Sequence, residues 1–408
     1  MGWSKLGNQN KKWWLSKPCI VATHTKPDED VIVSVTLLKL SGAKIKGYWF
    51  RGEGDESLPP QINFRDIVWI DRGRQVFDHH GIKGKTSAQI VAEELEIANE
   101  KWLRPILAHV QRADLEGRSE PMDLNEMTKA IARECSDDSM IMELGIRIAT
   151  ALVEFHRNNL KRNNQKASEI LKESFGEKMP ERIRHYYQLL QNPNFNRVCD
   201  FAELATVDPE LAKEVLKFVS ADIQKYERAK EELEKAQKIR VGRYLIIVGT
   251  SNNPKFNVAA RAAEAAIVIQ QNTDKHVQIF FNNKVLKPQI IEEISEDLIE
   301  ALRLREISLD PSRKLPVRKS DLRSVGKIPE VPEWYWFKGE RGGCLLLNGS
   351  LTSPDVPPTK IPLEEIAEIV NDALRTHLEQ MGRGTARRGA PPQKPRREGF
   401  GDKALGHQ

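Results

Sequence analysis

The chain has 408 residues, with 63 Lys and Arg against 58 Asp and Glu and a formal net charge of +5 at pH 7; the length suits two domains at roughly 100–200 residues each, and the near-neutral body excludes a strong whole-chain attraction to nucleic acid, because much of the excess sits in Arg383, Arg387, Arg388, Lys394, Arg396 and Arg397. The four cysteines, Cys19, Cys135, Cys199 and Cys344, are scattered with no CxxC pair, which excludes a zinc knuckle or a disulfide framework and points to reduced thiols in the cytoplasm. No apolar run approaches the ~20 residues of a membrane span, and neither a leader nor a lipid anchor is expected at the N-terminus, since residues 1–17 lack a continuous apolar stretch and Leu6 stands where a myristoylation signal needs Ser or Thr.

Residues 1–17 form an N-terminal extension with Trp3, Trp13 and Trp14 among lysines. From Cys19 an apolar, strand-type run ends on His24, and Asp28 and Asp30 follow four and six residues later. Pro27 forces a turn between them. Apolar residues at helical spacing then run from Val31 to Leu40, with Gly42 as a stop. One histidine and two carboxylates, gathered where a strand turns into a helix, suit a hard or borderline divalent cation such as manganese or magnesium.

A second strand is expected over Lys44–Phe50 and a third over Asp66–Ile70, closing on Asp71. A short fourth strand, Gln75–Phe77, leads to Asp78-His79-His80. Thr86-Ser87-Ala88-Gln89 is a capping pattern opening a helix. A helix over Leu103–Gln111 leads to Asp114, and another fills about 139–158. Strands alternating with helices predict an α/β fold with a doubly wound, mostly parallel sheet over residues 18–160. Ligands of such sheets sit beyond the carboxyl ends of the strands. His24, Asp71 and Asp78 each close a strand pattern.

Residues 161–240 are charged and helical, with favourable Glu231–Lys235 and Glu234–Lys238 pairs, and are expected to form a helical linker or insertion. A second, smaller α/β domain spans 241–381. It opens with a strand over Tyr244–Val248 and closes with a helix over 362–379. Between them lie the Trp334–Phe337 cluster and Arg341-Gly342-Gly343. The Gly-, Arg- and Pro-rich tail, 382–408, is expected to be disordered.

In their order, His24, Pro27, Asp28, Asp30 and Ser34, then Asp71, then Asp78-His79-His80, then Asp114 resemble the four motifs of the DHH phosphoesterase superfamily. The resemblance covers roughly 18–160, and the second domain is similar in outline to the family's C-terminal substrate-binding domain. Gly342-Gly343 resembles its glycine-rich phosphate loop, with Cys344 where a histidine commonly follows. Family members include single-strand exonucleases, nanoRNases, cyclic dinucleotide phosphodiesterases and manganese pyrophosphatases.

The resemblance implies a two-metal site, with Mn2+ preferred and Mg2+ an alternative. His24 and Asp28 would hold one ion and Asp30 the other, Asp71 would bridge both, and His79 and Asp114 would complete the second. His80 would face substrate phosphate and Asp78 would orient the histidines. Arg341, Gly342 and Gly343 would grip a phosphate.

Singly, Asp71 or Asp114 would read as a turn residue or helix cap. His109, on a helix face with apolar neighbours, reads as a structural histidine. The Trp334–Phe337 cluster reads as core before it reads as a base-stacking platform.

The expected function is metal-dependent hydrolysis of phosphodiesters, leaning on the basic tail and aromatic cluster towards short or single-stranded RNA or DNA. The partner is then a phosphate-containing substrate, with no membrane and with a homodimer left open. The alternatives are a small-molecule phosphohydrolase (pyrophosphate, cyclic dinucleotide or nucleotide phosphate) and a catalytically silent nucleic-acid-binding protein.

Overall fold

The structure, a computed structural model, describes residues 12–52, 63–72, 77–79, 82, 84–313, 318–338, 343–349 and 356–388. The chain divides into two compact units, Met1–Glu232 with Asn253–Val258 and Leu351–Pro354, and Leu233–Asn252 with Ala259–Ser350 and Asp355–Gln408.

The first unit opens with a short helix, α1 (Trp13–Ser16). Its Trp14 is buried and sits edge-on to Phe77, with ring centroids 5.3 Å apart. The apolar run from Cys19 becomes β1 (Cys19–His24). β2 (Ile45–Arg51) and β3 (Ile67–Trp69) flank it, both parallel to it, in the order β2-β1-β3. A central parallel strand is covered on both faces, and this accounts for a continuous apolar sequence rather than an alternating one. Ile70 carries β3 one residue further, donating to the Ala22 carbonyl at 3.0 Å and bridging in parallel to Phe77. Of the expected fourth strand, this bridge at Phe77 is described, while residues 73–76 lie outside the described residues.

Between β1 and β2 runs α2 (Glu29–Leu40), buried at every position from Glu29 to Leu38. A helix apolar on all sides belongs at the centre of its domain. Asp28 caps it by accepting the Val31 N–H at 3.2 Å, and Gly42 follows the end at φ 92°. Around it pack α3 (Ser87–Glu94), α4 (Arg104–Leu115), α5 (Leu124–Glu134) and α6 (Asp138–Arg157). Pro105 occupies the first turn of α4, where its missing N–H costs nothing. α4 runs further than the sequence predicts, so Asp114 lies inside its last turn and not beyond it.

α7 (Asn164–Phe175), α8 (Glu181–Leu190), α9 (Phe201–Val207) and α10 (Pro209–Lys235) follow. Their apolar faces, among them Leu171, Ile183, Leu204 and Leu216, lie in the same core as Ile32 and Leu38.

The second unit is built on a mixed sheet of seven strands. They are β4 (Gln237–Val241), β5 (Tyr244–Thr250), β6 (Ile267–Gln271), β7 (Val277–Phe281), β8 (Gly326–Ile328), β9 (Val331–Lys338) and β10 (Cys344–Leu347), in the order β4-β5-β6-β7-β10-β9-β8. Only β5 and β6 pair in parallel. The short α11 (Phe256–Ala262) follows β5, and α12 (Pro288–Ser308) packs on α13 (Leu363–Arg388) and on β9 and β10. Trp334 and Trp336 point into this core and are buried, whereas Phe337 is partly exposed. α13 extends to Arg388, past Gly382 where a disordered tail is expected, and residues 389–408 lie outside the described residues. Among the described residues no helix is long and apolar enough to cross a membrane.

α6 comes close to the central helix at Gly145. A Cβ there would lie 2.5 Å from Ile32 Cδ1 and 2.9 Å from Ile32 Cγ1. Gly145→Ala is therefore expected to lower stability by about 1–3 kcal/mol through overpacking, despite the better helix propensity of alanine. Denaturant unfolding measures it, and an unchanged or higher midpoint would show that α2 and α6 are free to separate.

Candidate metal centre

Six side chains of the first unit converge beyond the carboxyl ends of β1 and β3. β1 delivers His24. The turn through Lys26 and Pro27 delivers Asp28 at the cap and Asp30 in the first turn of α2. Lys26 is left-handed at φ 54°, and its backbone N–H donates to Asp138 Oδ1 at 3.0 Å while its Nζ donates to the Cys135 carbonyl at 2.5 Å. Those bonds fasten the turn to the start of α6.

Asp71 follows β3 in a left-handed conformation, φ 54°, which aspartate tolerates better than most residues. Its N–H donates to the Phe77 carbonyl at 3.0 Å. The next residue, Arg72, donates from both terminal nitrogens to the carbonyls of Arg51 and Gly52 at the end of β2. The Asp71 carboxylate then meets two histidines. His24 Nε2 lies 3.4 Å from Oδ2 and His79 Nε2 lies 2.8 Å from Oδ1. Asp28 Oδ1 is 3.9 Å from His24 Nε2, and Asp114 Oδ2 is 3.8 Å from His79 Nε2.

Two groups of ligand-type atoms result, His24–Asp28–Asp71 and Asp30–Asp71–His79, each with its atoms within 4.8 Å of one another. Asp71 belongs to both. Asp30 is buried and accepts the N–H groups of Ser87 and Ala88, each at 2.7 Å, so it also caps α3. Ser87 Oγ donates to Asp71 Oδ1 at 3.3 Å. Asp78 is buried after Phe77. His80, Arg341 and Gly342 lie outside the described residues, and Gly343 is exposed just before β10.

The histidine tautomers decide what the cluster needs. His24 Nδ1 is 2.8 Å from the Thr25 carbonyl and His79 Nδ1 is 3.1 Å from the Lys85 carbonyl. A carbonyl only accepts, so each Nδ1 carries the proton. Each Nε2 then presents a lone pair towards the Asp71 carboxylate. A cation has to stand between them, either a proton on each imidazole or a metal ion. A histidine anchored through its other nitrogen by a backbone carbonyl is the usual arrangement of a metal ligand. The mixed nitrogen and oxygen donors fit a divalent cation.

Protonation behaves accordingly. Burial opposes charge on His24, but Asp71 and Asp28 outweigh it and raise the imidazole to about 9. The contact with Asp71 likewise raises His79 to about 9. Asp71, despite its burial, is held well below the usual carboxylate range by the two histidines. Burial, with the charges of Asp28 and Asp71, lifts Asp30 to about 7, against the two N–H groups it accepts.

A third ligand-type group, His156–Cys199–Glu203, lies apart from this centre. Glu203 Oε1 accepts Arg162 at 2.8 Å and Oε2 accepts the Cys199 N–H at 2.8 Å. Its oxygens already neutralise an arginine and close the start of α9, as a structural carboxylate does.

Several residues of the centre carry no sequence signal for their part in it. Ser87 reads only as the residue after a helix cap, and Arg72 only as a turn residue. Their contacts to Asp30, Asp71 and β2 come from chain segments that meet through the fold.

No family model matches this chain, and no curated protein does. Among solved structures, Thermus thermophilus RecJ in complex with Mg2+ is 11% identical with a TM-score of 0.36, over 90% of this chain and 51% of that one. The same protein with Mn2+ is 10% identical with a TM-score of 0.34, over 91% and 53%. The exonuclease RecJ bound to manganese is 10% identical with a TM-score of 0.33, over 89% and 92%. The chain thus spans about half the length of the Thermus proteins. Likenesses this distant assign neither family nor activity.

The tautomers give a pH dependence. Both imidazoles lie above their unfolded value of about 6.5, so their contribution to metal-free stability is complete below that pH and is lost as pH rises through about 9. A metal must displace the same protons. Mn2+ affinity is expected to climb by approaching two decades per pH unit from about pH 7.5 to 8.5 and to level above about 9. Calorimetry in buffers of differing ionisation enthalpy should count about two protons released at pH 8. Binding without proton release would show that the imidazoles are already neutral at pH 8 and that Asp71 does not raise them.

Proposed function

We propose that the first unit is a two-metal phosphohydrolase centre of the DHH type. The observation that carries this is the shared carboxylate: Asp71 faces two imidazoles whose Nε2 lone pairs it cannot satisfy without intervening cations. In this reading His24, Asp28 and Asp71 hold one ion, and Asp30, Asp71, His79 and Asp114 hold the other. A carboxylate can span two cations ~3.5–4 Å apart through its two oxygens. When bound, such a pair supplies Lewis-acid polarisation of a phosphoryl group and an acidified water.

The chain's own residues do the rest. The Thr25 and Lys85 carbonyls fix the imidazole tautomers. Ser87, through its N–H and hydroxyl, orients Asp30 and Asp71 together. Asp28, His24 and Asp114 are the more exposed members and mark the side open to a substrate phosphate. Asp78 is assigned to orient the histidines, and His80 and Arg341 with Gly342 and Gly343 to contact phosphate.

For the substrate we favour phosphodiesters of short or single-stranded RNA or DNA, on the basic C-terminal residues. The second reading, a small-molecule phosphohydrolase, gains from one observation. Trp334 and Trp336 are buried in the second unit's core and cannot stack on bases.

Asp71→Asn is expected to lower metal-dependent turnover more than about 100-fold, the upper figure for losing even an outer-shell partner of a metal, with the far-ultraviolet spectrum unchanged. Full activity in that variant would exclude the shared role. The screen comprises short RNA, short DNA, cyclic dinucleotides and pyrophosphate, with manganese supplied.

Removing residues 389–408 takes away Lys394, Arg396 and Arg397. A nuclease that uses them should bind single strands more weakly, with the salt slope reduced by about 0.7 per lost phosphate contact. An unchanged slope would favour the small-molecule reading.

A further inference from the structure

Glu29 sits between the two candidate ligands of α2, Asp28 and Asp30, yet it turns the other way. It is 3% exposed, and among the described residues neither of its carboxyl oxygens has a hydrogen bond of good geometry. It faces His109 of α4, itself 3% exposed, with Nε2 at 3.3 Å from Glu29 Oε1. α4 is also the helix that carries Asp114.

The proton on His109 is placed by its other contact. Arg112 donates to Nδ1 at 3.4 Å, so Nδ1 accepts and Nε2 bears the hydrogen. That nitrogen faces Glu29 Oε1 across 3.3 Å and, among the described residues, has no hydrogen bond of good geometry either, so the pair is a close contact between two buried polar groups. The second acidic neighbour, Asp123 Oδ2, is further away at 3.9 Å, and Asp123 is already engaged, accepting the N–H groups of Glu120 and Glu126 at the start of α5. Burial, reinforced by Arg112 and Arg197, holds His109 down to about 4, so the imidazole is neutral near pH 7.

We propose that the buried His109–Glu29 contact is a strut between α2 and α4 that sets the spacing of Asp28 and Asp30 from Asp114, which makes His109 and Glu29 positioning residues of the metal centre. This rests on the two-metal reading above. Helices sharing an apolar core can slide by fractions of an ångström, whereas two buried polar groups held 3.3 Å apart at the ligand-bearing end of α2 resist any slide that would separate them and so fix where Asp114 meets His79.

The test is Mn2+ calorimetry on the full chain, comparing His109→Gln with His109→Asn. The glutamine amide nitrogen reaches the place of Nε2, and the asparagine amide nitrogen reaches only that of Nδ1. Both substitutions are neutral amides, which controls for polarity, and unfolding midpoints measured alongside report the packing difference of one methylene.

His109→Gln is expected to bind Mn2+ close to wild type, and His109→Asn about 10–100-fold more weakly. Equal affinities in the two variants, with Asp71→Asn abolishing binding, would overturn the strut and leave the metal centre intact. Wild-type affinity in Asp71→Asn would overturn the metal reading and the strut with it.

Discussion

One carboxylate between two imidazoles governs this molecule. Asp71 faces His24 and His79, and each imidazole already donates its Nδ1–H to a backbone carbonyl. The cluster is neutralised only by positive charge placed between Asp71 and the two Nε2 atoms. Without metal that charge is a pair of protons, which the carboxylate holds by raising both histidines to about 9. The same pull that raises the imidazoles is available to a divalent cation, and buried polar contacts around the cluster preserve it.

The supporting structure follows from that need. Asp71 has to leave β3 at a sharp left-handed turn, and Arg72 pins the turn to the end of β2. Three acids, Asp28, Glu29 and Asp30, sit at the N-terminus of the buried helix α2, where the helix dipole favours negative charge. Asp30 is buried at a cost, visible in its rise to about 7, and two N–H groups of α3 offset part of it. Ligands placed at the ends of packed strands and helices hold their geometry better than ligands on loops.

Much of the centre was legible in the chain. His24, Asp71 and Asp78 each close an apolar run, and the Pro27 turn and Asp28 cap are local chemistry. β1, β5 and α2 were readable because continuous apolar runs and a helix between Pro and Gly each leave a short-range pattern. The end of α4 was missed: Arg112 to Glu116 reads as a polar exit from the helix, although Ala113 and Asp114 stay within its last turn. The mostly antiparallel second sheet was not foreseen either, since pairing direction depends on connections rather than on strand composition. Glu29 and His109 show the limit most plainly. Each looks like an ordinary helical residue, and only the crossing of α2 and α4 makes them neighbours.

The most direct test is diffraction from manganese-soaked crystals, collected at a wavelength where manganese scatters anomalously. The account predicts two anomalous peaks about 3.5–4 Å apart, each within coordination distance of a different Asp71 oxygen, one beside His24 and Asp28 and the other beside His79 and Asp30. A single peak, or peaks that do not touch Asp71, would contradict it.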